Sequence, residues 1–321
     1  MKNSKIIALA MGDPAGISPE LTARLVALDE ARRAASIVVI GDRRVFDEGA
    51  AVAGVAAAPD EFVDLKHLDP KTIRRGVASK EGGASALANY RHALRMVADG
   101  KADAVCFTPF NKQAMRLAHP SYDDEIGFTA GVLGFKGAAT EFNILEGLWN
   151  ARVTSHIPLA KVSSSLSIDA IVRALELTAT ALRAAGFEPP RIGVAALNPH
   201  AGDGGNFGRE EIDIIEPAVK KAKAKGLPAD GPYPADTVFV RAKGGQFDAV
   251  LTMYHDQGQI AMKLMGFDRG VTLLGGFPFP ICTPAHGTAY DIAGKGIANI
   301  GATRAAVLLA AQMAARTAKV A

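Results

Sequence analysis

The seven histidines of the chain divide by context. His67, His92 and His119 stand among charged neighbours, in stretches that read as loops or amphipathic helices, which marks them as surface residues. His156, His200 and His255 differ, because each closes a strand-like run, in TSHIPL, LNPHAGDGG and MYHDQG. Imidazole is the commonest protein ligand for transition metals, and a site of three such ligands leaves open positions for a substrate. Gly202, Gly204 and Gly205 let the chain turn sharply beside His200, while Asp203 and Asp256 could orient the rings as hydrogen-bond acceptors. Separations of 44 and 55 residues match no compact ligand motif. Spacing alone leaves two readings open: a metal centre, or hydrogen-bonded loop histidines of an active site without metal.

A second constellation is HGTAYDIAGKGIANIGA, residues 286–302. Gly287 frees the backbone beside His286, Asp291 could accept both hydroxyls of a ribose, and Gly294 and Gly296 turn the chain back. The density of Gly, His, Thr and Asp favours a nucleotide loop over a plain turn between helices. No GxGxxG follows the first strand-like run, and GDPAG at 12–16 lacks the Lys-Ser/Thr ending of a phosphate loop.

Such loops need a scaffold that delivers them to one edge. Strand-like text occupies 5–11, 36–42, 102–109, 191–197, 247–253 and 270–274, with a strand pair in 140–156 turning at Gly147. Helical spacing occupies 19–32, 83–100, 168–185, 209–226, 257–265 and 302–317. Regular alternation of the two predicts an α/β fold with a mostly parallel sheet. Open α/β sheets bind ligands beyond the carboxyl ends of their strands, and GDPAG, TPFNK, TSH, NPHAGDGG and YHDQG all stand there.

Composition narrows the function classes. With 49% hydrophobic and 21% charged residues over 321 positions, the chain is neither disordered nor fibrous, and its length suggests about two domains or interleaved lobes. A net charge of +3 with interspersed signs gives no patch for nucleic acid or an anionic membrane, and KKAKAK at 220–225 reads as a solvated helix end. Cys106 and Cys282 are too few for a disulfide framework. The apolar run before Gly12 is too short for a signal or a membrane span, so a cytoplasmic location is expected.

Taken in order, GDPAGISPE (12–20), TPFNK (108–112), SHIPL (155–159), LNPHAGDGGNFGREE (197–211), GPYPADT (231–237), YHDQG (254–258), Lys263, GFDRGV (266–271) and HGTA (286–289) resemble the 4-hydroxythreonine-4-phosphate dehydrogenase family of vitamin B6 biosynthesis. Residues 286–302 are also similar to the adenosine loop of isopropylmalate and isocitrate dehydrogenases. The resemblance implies a two-lobe fold with a central cleft, lobe A holding 1–135 and 290–321 and lobe B 136–289. It implies a homodimer in which His156, His200 and His255, drawn from both copies, hold a divalent metal. It also implies NAD(P)-dependent oxidation of a β-hydroxy acid followed by decarboxylation, with the metal assisting at the hydroxyl and carboxylate. Asp236, Asp256 and Lys112 are the candidates for the base. The cofactor segment would comprise His286, Gly287, Thr288, Ala289, Asp291 and Asn299. Asp291 would repel a 2′-phosphate, which favours NAD over NADP. Three imidazoles point to zinc or cobalt, whereas oxidative decarboxylases often use magnesium or manganese.

The departures from the family bear on the substrate. Ungapped counting puts Ile126 and Gly127 where the family has a substrate-binding His-Thr pair. Of the family's Lys, Asn and Arg around the phosphate, Lys263 is retained, while the other two positions read Thr272 and Ile281. An alkyl group cannot replace a bidentate guanidinium. The expected substrate is therefore a different hydroxy acid; alternatives are a cyclohexadiene cis-diol carboxylate or a phosphorylated sugar acid such as 4-phosphothreonate. A nicotinamide-independent metal lyase or hydrolase is a further alternative, disfavoured by the retained 286–302 loop.

Overall fold

Short, wholly apolar runs alternate with amphipathic ones, and the computed structural model, which describes residues 5–317, turns them into strands and helices. The strands are β1 (Ile6–Ala10), β2 (Ser36–Gly41), β3 (Glu61–Asp64), β4 (Ala104–Phe107), β5 (Thr140–Leu145), β6 (Leu148–Arg152), β7 (Ile192–Ala195), β8 (Ala229–Tyr233), β9 (Ala249–Thr252), β10 (Val271–Gly275) and β11 (Ile281–Pro284). The helices are α1 (Ser18–Ala27), α2 (Asp29–Ala34), α3 (Arg43–Ala53), α4 (Lys80–Ala98), α5 (Lys112–Ala118), α6 (Glu125–Leu133), α7 (Val162–Ser165), α8 (Ile168–Ala185), α9 (Glu216–Ala224), α10 (Ala235–Lys243), α11 (His255–Gly266) and α12 (Gly301–Thr317). No helix among the described residues is long and apolar enough to cross a membrane.

The chain divides into two units, Met1–Ala139 with Asp268–Ala321, and Thr140–Phe267. The expected return at 289/290 thus falls earlier, at 267/268, because β10 pairs with β11 and β11 pairs with β4, which carries both into the first unit. In that unit the strand order is β3-β2-β1-β4-β11-β10, parallel except for the β10–β11 pair. In the second unit it is β5-β6-β9-β7-β8, parallel except for the β5–β6 hairpin, which turns at Gly147 with φ 78°. The expected α/β, mostly parallel architecture is what forms.

Strands buried on both faces read as continuous apolar runs, and Ile7, Leu9, Val39, Ile40, Val194 and Leu251 are fully buried. Side-chain caps fix several helix starts: Ser79 accepts from Gly82 N, Asn111 from Ala114 N, Asp124 from Gly127 N and Ser167 from Ala170 N. Two expected helices are interrupted. The 19–32 stretch breaks at Leu28, whose ψ of 120° separates α1 from α2, and 209–226 opens with a π turn over Glu211–Ile215 before α9. The first unit's core gathers Tyr90, Leu94, Val105, Phe107, Leu274 and Ile281. Trp149 and Phe142 anchor the second, with ring centroids 5.7 Å apart.

Candidate active site

Three strand ends of the second unit carry the histidines. After β6 and β9 the backbones stay laced: Val153 N donates to Thr252 O at 2.9 Å, Thr154 N to Met253 O at 3.1 Å, and Thr154 Oγ1 to Met253 O at 2.7 Å. This lacing sets the rings of His156 and His255 side by side, with centroids 5.4 Å apart. Both line a cleft of about 250 Å³ with Thr154, Ser155, Leu159 and Val162. His255 begins α11, and its Nδ1 lies 2.7 Å from Asp256 Oδ1. With the carboxylate accepting from Nδ1, Nε2 is the ring nitrogen left to meet a ligand.

Two anchors behind this pair had no role in the sequence reading. Gln257 ties the β9 end to the β7 end, accepting from Met253 N and donating to Ala196 O, each at 2.7 Å. Arg152, only 5% exposed, donates to Asn143 Oδ1 at 2.5 Å, to Glu141 Oε2 at 2.5 Å and to Ser155 Oγ at 3.0 Å, so a buried ion pair fixes the residue before His156. Burial pulls the Arg152 guanidinium below its ordinary pKa, and Glu141 counters this.

His200 lies on the loop after β7. His200, Ala201 and Asp203 all adopt left-handed backbone, with φ 53°, 53° and 45°, and His156 does so at φ 48°. Left-handed geometry in non-glycine residues is strained and persists only where the surroundings over-determine it. Glu211 supplies that constraint: fully buried, it accepts from Leu197 N and Asn198 N at 2.8 Å and from Asn198 Nδ2 at 2.9 Å. Glu210 also accepts from Asn198 Nδ2, at 2.7 Å, and from Ser163 Oγ. A Cβ on Gly202 would lie 2.7 Å from Glu211 Oε2, so only glycine passes there. The GREE run was part of the recognised motif; its work as the loop's clamp needed the structure.

His156 and His255 therefore come together, whereas the exposed His200 stands against Phe207, with ring centroids 6.0 Å apart. No group of three His, Cys, Asp or Glu side chains converges among the described residues of one chain. Two neighbouring imidazoles, one oriented by a carboxylate, fit part of a divalent-metal site and leave coordination positions for further ligands.

The remaining candidates scatter. In the second unit Asp236 is exposed in the first turn of α10, Asp256 is exposed beside His255, and Lys263 is exposed on α11. In the first unit Lys112 Nζ is 3.4 Å from Glu125 Oε2. Gly127 N donates to the cap residue Asp124, Ile126 packs against the core with Phe110 and Phe128, and Thr272 is half-buried on β10. Ile281 is wholly buried among Tyr90, Leu94 and Phe107. It is a core side chain here rather than an exposed pocket wall, because its strand position faces α4 packed on the sheet.

The candidate cofactor segment, residues 286–299, lies on α1 and the GDPAG turn. Ile17 N donates to Thr288 O at 3.0 Å, Ala298 N to Glu20 Oε1 at 2.9 Å, and Arg24 to Gly296 O. Asp291 is exposed and has no polar partner among the described residues, and a Cβ on Gly287 would meet nothing within 4 Å. His286 and Asn299 sit at the two ends, Asn299 capping Gly301 N. An open glycine and an unpaired carboxylate on one loop could take the ribose end of a nucleotide.

An α/β scaffold with imidazoles and a nucleotide-type loop at strand ends defines the class. Residues 33–310 match the family described as pyridoxal phosphate biosynthetic protein PdxA, and the chain belongs to that family. It is 65% identical over 324 residues, covering 96% of this chain and 93% of the relative, to a Rhizobium meliloti protein named "Putative 4-hydroxythreonine-4-phosphate dehydrogenase 2". Among solved structures, 4-hydroxythreonine-4-phosphate dehydrogenase from Klebsiella pneumoniae matches with TM-score 0.84 and 35% identity, over 97% of this chain and 98% of the other. A terephthalate 1,2-cis-dihydrodiol dehydrogenase from Burkholderia xenovorans matches with TM-score 0.67 and 30% identity, over 96% and 98%.

Proposed function

We propose that the chain is a metal- and NAD-dependent dehydrogenase that oxidises a β-hydroxy acid with loss of carbon dioxide, acting as a cytoplasmic homodimer. The observation that carries this reading is the His156–His255 pair, with Asp256 bonded to His255, at the mouth of one cleft. A divalent metal, when bound, would polarise the hydroxyl and carboxylate oxygens of such an acid. His156, His255 and, from a second copy, His200 would hold it. Exposed Ile157, Leu159, Phe207, Ile212, Ile260 and Leu264 surround these histidines in sequence, and an apolar surface of that kind suits a second copy of the chain. Oxidation also needs an acceptor for the hydroxyl proton. Asp256 is engaged by His255, which favours Asp236, a carboxylate with no partner among the described residues, over Lys112, paired with Glu125.

The acid differs from 4-phosphohydroxy-L-threonine in this reading, because Ile281 and Thr272 stand where the family's phosphate clamp is expected. The name of the 65%-identical relative supports a phosphorylated hydroxy acid as the class of substrate. A second reading, a ring-derived cis-diol carboxylate, is supported by half-buried Phe110, Ile126 and Phe128 in the first unit and by the name of the Burkholderia xenovorans structure. His200→Ala is expected to abolish both metal content and turnover; loss of neither rejects the metal-dependent dehydrogenase. Steady-state kinetics with NAD over a panel of hydroxy acids identifies the substrate, and efficient turnover of 4-phosphohydroxy-L-threonine rejects the altered pocket.

A further inference from the structure

Asp13, in the turn after β1, is 1% exposed, and a buried carboxylate is costly unless each oxygen is bonded. Its Oδ1 accepts from Ala15 N at 2.8 Å and its Oδ2 from the Tyr290 hydroxyl at 2.5 Å, while its own N–H donates to Pro109 O at 3.0 Å. Burial pushes the Asp13 carboxyl above its ordinary range, with Tyr290 and the Ala15 N–H pulling the other way. Burial and the neighbouring carboxylate drive the Tyr290 phenol upward as well, so it keeps its proton and is the donor.

Tyr290 stands between two informative neighbours. Ala289 has φ 42°, a left-handed non-glycine residue whose strain must be held by its surroundings. On one side Thr288 is held through its carbonyl by Ile17 N; on the other Tyr290 is held by Asp13. Asp291, the ribose candidate, follows immediately. Between Thr288 and Gly296, among the described residues, the Tyr290 hydroxyl is the hydrogen-bonded tie to the rest of the unit.

We infer that Tyr290 and Asp13 form a latch that keeps the strained turn at Ala289 closed and thereby aims Asp291 at the adenosine ribose of the nicotinamide cofactor. Both are positioning residues: they act through Asp291. The inference rests on the NAD reading above. It is tested with Tyr290→Phe, which removes one oxygen and keeps the ring. The latch predicts faster amide exchange confined to residues 286–299 in the cofactor-free variant, with a melting temperature lower by a few degrees because Asp13 Oδ2 loses its partner. It also predicts a rise of about five-fold or more in the NAD dissociation constant by calorimetric titration, the low end of coupling between linked sites, with kcat and the KM for the hydroxy acid unchanged. Unchanged exchange and NAD affinity overturn it. Equal losses in NAD and substrate affinity, with faster exchange spread over the whole unit, also overturn it, since they would make the pair merely structural. Wild-type protein that binds no NAD rejects the NAD reading itself, and the latch's role in aiming Asp291 falls with it.

Discussion

Replacing Glu211 by Ala removes the clamp under the His200 loop. Its carboxylate accepts three hydrogen bonds, from Leu197 N, Asn198 N and Asn198 Nδ2. Bonds to a charged group contribute about 1.5–3 kcal/mol each, so the raw sum is roughly 5–9 kcal/mol. Leu197 and Asn198 are half-exposed, so water can take over part of this; a net cost of about 3–5 kcal/mol remains. At about 2–4 °C per kcal/mol for a chain of this size class, the melting temperature should fall by roughly 6–20 °C. Glu211→Gln keeps an oxygen for the two backbone donors and should lose well under half as much. Calorimetric melting of both variants reads the difference. A Glu211→Ala midpoint within about 2 °C of wild type, or equal losses for Ala and Gln, would refute the clamp.

The remaining predictions concern charge and assembly. Because burial raises the folded-state pKa of Asp13 above its ordinary 3.8, the native state holds that proton more tightly than the unfolded chain, and the Asp13 contribution to stability falls as pH rises from 3.8 through the raised value. Asp13→Asn removes this dependence, so its stability relative to wild type should climb across that window in denaturant titrations; a difference independent of pH contradicts it. Leu264 is 83% exposed on α11, and if this face meets a second copy, Leu264→Asp forfeits about 2 kcal/mol of apolar burial on each copy and weakens the dimer by roughly 1,000-fold in sedimentation equilibrium. An unchanged association constant would remove α11 from the interface.

The βα alternation and the strand-end loops were legible because buried parallel strands are written as apolar runs and their loops as Gly, Asp and His clusters. Strand β11 was not: ICTP is four residues, all buried, with no alternation to show that Ile281 points into the core. Counting along a motif names a position, not the direction of its side chain. Arg152 ends the apolar run LWNAR and reads as an ordinary strand terminus; its partners Glu141 and Asn143 become visible only once the hairpin register, Asn143 opposite Asn150, puts β5 beside β6. The unit boundary is silent in the sequence for a similar reason. Residues 268–289 carry no composition change, and only the pairing of β11 with β4 assigns them to the first unit.

Lys66, His156, His200, Ala201, Asp203 and Ala289 are the non-glycine residues with positive φ among the described residues. Each such residue costs about 1–3 kcal/mol, so a sequence free to choose would place glycine or relax the turn. All but Lys66 lie in three of the six loops that residue type marks as ligand-bearing. Each strained turn also has a dedicated restraint nearby: Arg152 and Thr154 for His156, Glu211 for His200 through Asp203, and Tyr290 with Ile17 for Ala289. Glycine at these points would lower the strain but surrender the side chain or the rigidity that aims it. Backbone strain and side-chain chemistry are independent properties, and their coincidence in these loops is the strongest physical reason to regard them as built for binding rather than for turning the chain.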